Sequence, residues 1–148
     1  PIQQRLGPLL EETMVQMQGL AQGKGLFLVA EPTGASACFD PKWTAEALGN
    51  VMDNAIKYTP PGGSIYLSVR EFELYCVVEV ADNGPGIPEA EQGAVFNRFY
   101  RGKAVREQEG LGIGLYLTRE ILSRQGGYVK LSSKPGQGCR FSLYLPKE

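Results

Sequence analysis

Between Asp40-Pro41 and the run Thr59-Pro60-Pro61-Gly62-Gly63 lies the stretch that most constrains the fold, TAEALGNVMDNAIKY from Thr44 to Tyr58. Asp40 is suited to cap a helix N-terminus, Pro41 to occupy its first position, and the proline–glycine run to stop it. At 3.6 residues per turn, Leu48, Val51, Met52, Ala55 and Ile56 share one arc. Glu46, Asn50, Asn54 and Lys57 share the opposite one. A helix with one apolar arc must be covered on that arc by another layer.

The flanking sequence supplies that layer. Pro8 to Leu20 has helical spacing in Leu9, Leu10, Met14, Val15 and Met17, and Gly23-Lys24-Gly25 ends it. Gly25 to Ala30 and Ala37 to Phe39 read as short strands. Ser64 to Arg70 alternates, with Ile65, Leu67 and Val69 on one side. Leu74 to Ala81 follows with Leu74, Cys76, Val78 and Val80 inward and Glu79 towards water, so the two runs form an antiparallel hairpin with one buried face. Pro88 to Ala94 suits a short helix inside a long mobile loop from Gly84 to Glu109. Gly110 opens a helix that runs through Gln125 on Leu115, Leu117, Ile121 and Leu122. Tyr128 to Ser133 and Arg140 to Leu145 close the chain as a second hairpin. The expected fold is α+β: one domain over residues 1–148, a mostly antiparallel mixed sheet covered on one face by helices.

Composition narrows the chemistry. A net charge of −1 without a basic block favours neither nucleic acid nor direct contact with a membrane. Cys38, Cys76 and Cys139 are odd in number and widely spaced, which fits reduced thiols of a cytoplasmic domain rather than a disulfide framework. The chain opens at Pro1 in helix-like sequence, which points to a piece of something longer. It contains no histidine, so imidazole triads, zinc–histidine sites and histidine phosphorelays cannot be completed by these residues.

Three features converge on one ligand. Carboxamide oxygens such as those of Asn50 and Asn54 are neutral, hard ligands for Mg²⁺, and Lys57 one turn on is placed for a phosphate. The same pair is also what the surface of a helix packed on a sheet can present. Gly110, Gly112 and Gly114 at a helix start let backbone N–H groups approach an anion, or make a tight turn. Asp82 leads into Gly84-Pro85-Gly86, and its carboxylate suits an adenine amine or an Asx-type turn cap. The segment FNRFYR, with Phe96 and Phe99 at i and i+3, reads as a hydrophobic hinge for the loop, and Arg101 or Lys103 as phosphate contacts or solvated cations.

These residues carry a resemblance. NVMDNAIKYTPPGG resembles the N box of sensor histidine kinases, DNGPGIP their first glycine box, FNRFYRG their F box and GLGIGLYL their second glycine box. PGQGCRFSLYLP is similar to their closing hairpin. In order and spacing the motifs resemble the catalytic, ATP-binding domain of that family, which shares a superfamily with DNA gyrase, the Hsp90 chaperones and MutL. The resemblance implies a two-layer α/β sandwich of the Bergerat type, with Mg·ATP between the helical layer and a mobile lid. It implies Asn54 as the Mg²⁺ ligand, Asn50 at the phosphates, Lys57 on a phosphate, Tyr58 beside the adenine and Asp82 on the adenine amine. It implies Gly84, Gly86 and Ile87 along that wall, with Phe99, Arg101, Leu111 and Leu115 among the nucleotide-contacting positions, and Gly110, Gly112 and Gly114 offering backbone to the triphosphate.

One departure separates branches of the superfamily. Hydrolysing members resemble one another in a glutamate four residues before the metal-binding asparagine, where this chain has Asn50, a group that takes no proton at neutral pH. Glu46 lies one turn further back, roughly 6 Å along the axis. Cys139-Arg140 is a lesser departure, where the family has small or hydroxylated residues. The expected function is transfer of the γ-phosphoryl group of Mg·ATP to a histidine on a dimeric helical domain outside this sequence, with a response regulator downstream, in a parent anchored or not in the plasma membrane. The alternatives are a nucleotide-dependent interaction module without transfer and a gyrase- or chaperone-type ATPase.

Overall fold

The parallel pairing of two strands that are distant in sequence organises the molecule, in a computed structural model that describes residues 1–97 and 114–148. Strand β2 (Phe27–Ala30) pairs in parallel with β4 (Ser64–Glu71), in the register Leu28 to Ile65. A parallel pair needs a long crossover. Here the crossover holds β3 (Ser36–Phe39) and helix α2 (Pro41–Tyr58), which thereby comes to lie on one face of the sheet. The remaining strands, β5 (Tyr75–Asp82), β6 (Tyr128–Lys134) and β7 (Gly138–Pro146), join antiparallel in the order β2-β4-β5-β7-β6. Helices α1 (Gly7–Lys24) and α4 (Gly114–Arg124) flank α2, giving the expected two-layer sandwich.

Helix α2 begins as its sequence demands. Asp40 Oδ1 accepts the Trp43 N–H at 3.1 Å, and Pro41 fills the first position. The whole expected arc, Leu48, Val51, Met52, Ala55 and Ile56, is buried. It shares one hydrophobic core with Ile65, Leu67, Val78, Val80, Phe141 and Leu143 of the sheet. Burial of each such side chain contributes about 1.5–3 kcal/mol.

Several expectations are corrected. The chain does not open as a helix: Ile2–Arg5 forms β1, antiparallel to β3, with Gln4 Nε2 donating to the Phe39 carbonyl at 2.9 Å. Four residues carry too little periodicity to announce a strand that exists through its partner. Helix α1 runs on to Lys24, past Gly19 and Gly23, and stops at Gly25 in the left-handed conformation (φ 77°). Val15, assigned to its apolar side, is 78% exposed. Leu74 is exposed and precedes β5, and Leu117 on α4 is 36% exposed, while Thr118 takes the buried place beside it.

Glu79 was expected to face water and is 5% exposed. It lies on the sheet face away from the helices, beside a fully buried Val77, so strand β5 is covered on both faces at its centre. The long expected loop also begins as packed structure. Its short helix α3 (Glu89–Gln92) forms, Ile87 and Val95 are buried, and the Phe96 ring meets Phe141 edge-on at 6.1 Å. Phe99, Arg101, Lys103, Gly110, Leu111 and Gly112 lie outside the described residues. Among the described residues, no helix is long and apolar enough to cross a membrane. The three cysteines are free thiols, with Cys76 and Cys139 buried.

Candidate functional site

The polar rim of α2 is half-buried at Asn50 and Asn54, exposed at Lys57 and half-buried again at Tyr58. Each end of this rim is closed by a different segment. At the Asn50 end stands the start of α4: a Cβ built on Gly114 would lie 3.7 Å from Asn50 Cβ and 3.9 Å from its Oδ1. Thr118 Oγ1, one turn into α4, is within hydrogen-bond distance of the Ala47 carbonyl of α2 at 3.1 Å and of its own Gly114 carbonyl at 3.0 Å, which pins the two helices together. Asn50 Nδ2 is buried and has no hydrogen-bond partner among the described residues. A buried donor left unmade costs about 1–3 kcal/mol, which marks the place as one that a ligand can complete.

At the other end stands the turn after β5. Asp82 shares the parity of Val78 and Val80 and so faces the helical layer. Its Oδ1 accepts the Gly84 N–H at 2.9 Å and the Cys139 N–H at 3.3 Å. The first of these is the Asx-type turn that the sequence allowed. Both bonds fall on one oxygen, and Oδ2 remains to accept a ligand donor. Burial pushes the Asp82 carboxyl above its usual range, and the two N–H groups pull it back only in part.

The turn itself is seated against α2. A Cβ on Gly84 would stand 3.3 Å from the Tyr58 carbonyl oxygen and 3.4 Å from Thr59 Cα. Gly86 has φ +78°, and a side chain there would collide with the Lys134 carbonyl. The last hairpin grips the same turn: Gly136 N donates to the Pro85 carbonyl at 2.6 Å, and Ile87 N to Ser133 Oγ at 2.8 Å. Gln92 Nε2 adds bonds to the Ile87 and Ser133 carbonyls, both at 2.9 Å. The glycine-containing turn and the closing hairpin, far apart in sequence, therefore make one wall.

The structure thus brings Asn50, Asn54, Tyr58, Asp82, Gly84 and Gly114 to one rim, with Ile87 and Leu115 buried behind it. Lys57 Nζ pairs with Asp53 Oδ2 at 3.0 Å. Both side chains are more than 40% exposed, so the pair is weak and can yield to a phosphate. Glu46 is exposed and lines a groove of about 700 Å³ between α1 and α2, together with Glu12, Gln16, Asn50 and Asp53.

Two residues escaped the sequence reading. Lys24, at the end of α1, reaches across to the last turn of α2 and donates to the Ile56 carbonyl at 2.8 Å and the Lys57 carbonyl at 2.7 Å. Burial pushes its ammonium below the usual lysine range. A cation on helix-terminal carbonyls is a favourable cap, but nothing local in Gly23-Lys24-Gly25 says which helix it serves. Cys139 is a lesser departure by sequence, yet its N–H holds Asp82 and its Sγ lies 3.3 Å from Ser133 Oγ. Burial raises its thiol above the ordinary value.

Comparison with known proteins bears on the family and the fold. The chain is 39% identical over 148 residues to the adaptive-response sensory kinase SasA of Synechococcus sp. (strain JA-2-3B'a(2-13)), covering 98% of this chain and 39% of that protein. It is 38% identical over 106 residues to the sensor protein kinase PmrB of Pseudomonas aeruginosa, covering 71% of this chain and 22% of that one. The chain therefore spans well under half the length of these relatives. Its fold is similar to the mycobacterial sensor histidine kinase MprB, with a TM-score of 0.84, 23% identity and 97% of each chain covered. It is also similar to ShkA, solved at full length in complex with AMPPNP, with a TM-score of 0.83, 25% identity, and 95% of this chain and 30% of that one covered. The family profile described as "Histidine kinase-, DNA gyrase B-, and HSP90-like ATPase" matches residues 39–148. The chain belongs to that family of histidine kinase-, gyrase B- and HSP90-like ATPases.

Proposed function

We propose that this chain binds Mg·ATP along the rim of α2 and presents the γ-phosphate to a histidine carried by another domain. The observation that carries the reading is the approach of Gly114 to Asn50, with Asn50 Nδ2 buried beside it and without a partner among the described residues. The phosphates belong at that end, against the start of α4, and the adenine at the Asp82 end. From Asn50 to Tyr58 the helix spans on the order of 12 Å, a length suited to a nucleotide laid along it. The complex of ShkA with AMPPNP, an ATP analogue, supports the choice of nucleotide.

The donor set fits magnesium. Asn50 and Asn54 offer neutral oxygens, and among the described residues no group of three or more His, Cys, Asp or Glu could cage a metal by itself. Mg²⁺ takes few protein ligands and most of its shell from phosphates and water, so Asn54 would hold it with Asn50 alongside. When bound, the ion neutralises charge on the transferring phosphoryl group.

The protein residues do the positioning. Asp82 accepts the adenine amine on Oδ2, and Tyr58 covers the base. Lys57, released from Asp53, meets a phosphate. Gly114 brings backbone N–H groups and the positive end of the α4 dipole to the triphosphate. Among these groups the one carboxylate, Asp82, stands at the adenine end; Asn50, at the phosphates, cannot take a proton, and the chain has no histidine. The site therefore orients ATP for an acceptor it does not contain, and catalysis rests on alignment and charge stabilisation. The acceptor is a histidine on a dimeric helical domain, and the phosphoryl group passes next to an aspartate of a response regulator. The chain works in the cytoplasm and touches neither nucleic acid nor lipid.

The test mixes the chain with γ-labelled ATP and a helical, histidine-bearing domain of a SasA-type kinase. The expected result is acid-labile label on the helical domain and little phosphate release from the chain alone. An unlabelled partner points to an interaction module, and steady hydrolysis by the chain alone to an ATPase; either result overturns the proposal.

A further inference from the structure

The sheet face turned away from the helices carries a feature that the nucleotide site does not use. On β4 to β7 this face presents four cations, Arg70, Lys130, Lys134 and Arg140, and one carboxylate, Glu79. The whole chain has a net charge of −1, so this single face is strongly positive against an acidic remainder. Glu79 sits between two of the cations. Arg70 Nε meets Glu79 Oε1, and Arg140 Nε lies 3.4 Å from Oε2, a charge contact rather than a hydrogen bond. The Glu79 side chain is 7% exposed, while those of Arg70 and Arg140 are 55% and 58% exposed.

Burying a carboxylate on a sheet face is costly, and one position away in the same row the chain uses an apolar Val77. What Glu79 achieves is order: it holds the Arg70 guanidinium through Nε and draws that of Arg140 close by charge, while both arginine side chains stay more than half exposed. The rest of the face is also fixed. Tyr128 and Tyr144 stack at 4.2 Å, Tyr75 meets both edge-on at 5.5 and 5.8 Å, and Lys130 Nζ lies 5.5 Å from the two stacked rings. Arg70 also lies 5.2 Å over the Phe72 ring.

We infer that this face is a docking surface for an acidic segment of a partner protein, whose carboxylates are gripped by the Arg70 and Arg140 forks. Planar forks held in place favour carboxylates in defined positions, with aromatic surface beside them for the partner's apolar side chains. An anionic lipid surface needs positive charge but no fixed forks, so the buried Glu79 favours a protein. The surface is separate from the nucleotide rim, on the opposite side of the sheet from α2.

The two explanations, organised forks or diffuse positive charge, differ in sign at Glu79. Glu79→Gln makes the face more positive and removes its organiser. The probe is a short fluorescein-labelled peptide rich in glutamate with a central pair of tyrosines, titrated with the chain by anisotropy beside its glutamine counterpart and vesicles containing phosphatidylserine. The expected result is saturable binding of the glutamate peptide only, weakened about tenfold by Arg70→Gln/Arg140→Gln and weakened also by Glu79→Gln, with ATP binding unchanged. Should Glu79→Gln unfold, Lys130→Gln/Lys134→Gln serves in its place, because organised forks predict a smaller loss from the lysine pair than from the arginine pair. Equal or tighter binding by Glu79→Gln, equal losses from the two pairs, no peptide binding, or vesicle binding in place of peptide binding overturns the inference.

Discussion

In the proposed site Asp82 serves the ligand at the expense of the fold. Burial raises its carboxyl above the ordinary range, so its folded form holds a proton more readily than the unfolded chain does. A group shifted this way favours the folded state at low pH, and that contribution is lost as pH rises through the shifted value. Asp82→Asn keeps an acceptor for the Gly84 and Cys139 N–H groups and removes the buried charge. Thermal melts at neutral pH are expected to show the variant as stable as the parent or more so, with the difference shrinking as pH falls through the carboxylate range, while ATP binding is lost. A variant that is less stable at neutral pH and still binds ATP would contradict the role given to Asp82. Its direction was legible, since strand parity carries from Val78 through Val80 to Asp82. The same alternation misled at Glu79, because parity reports which face a side chain takes and not whether that face is dry. Arg70 and Tyr144, on neighbouring strands, help to cover that face.

Among the elements, α2 was legible almost to the residue because capping, periodicity and the proline stop all agree. What sequence could not reveal is the way its C-terminus is held. Lys24 arrives from another helix onto the Ile56 and Lys57 carbonyls, in the turn that carries Lys57 and Tyr58. Lys24→Met is expected to lower stability by about 1–2 kcal/mol in urea unfolding and to weaken ATP binding with it. An unchanged affinity would separate the cap from the site. Gly86→Ala meets both a positive φ and the Lys134 carbonyl, and is expected to cost about 1–3 kcal/mol and to loosen the wall that holds Asp82. A stability equal to the parent would show that the wall is less tightly gripped than its contacts require. Short β1 was missed for the converse reason: its four residues owe their conformation to β3.

For the whole molecule, sequence gave the layers but not the strand order, because the β2–β4 parallel pair and the β5–β7 pair join segments with no local sign of each other. Those two pairings matter most to the site. The first places α2 over the sheet, and the second sets the closing hairpin against Asp82 and its turn. The account therefore rests on a single rim with phosphates at the Asn50 end and the base at the Asp82 end. Isothermal titration of ATP, with and without Mg²⁺, into the parent chain and into Asn54→Ala tests it most directly. The predicted result is one-to-one binding by the parent that tightens with Mg²⁺, and an Asn54→Ala variant that still binds ATP but has lost most of the Mg²⁺ enhancement. An Asn54→Ala chain that binds Mg·ATP as tightly as the parent, or a parent that binds no ATP, would contradict the account.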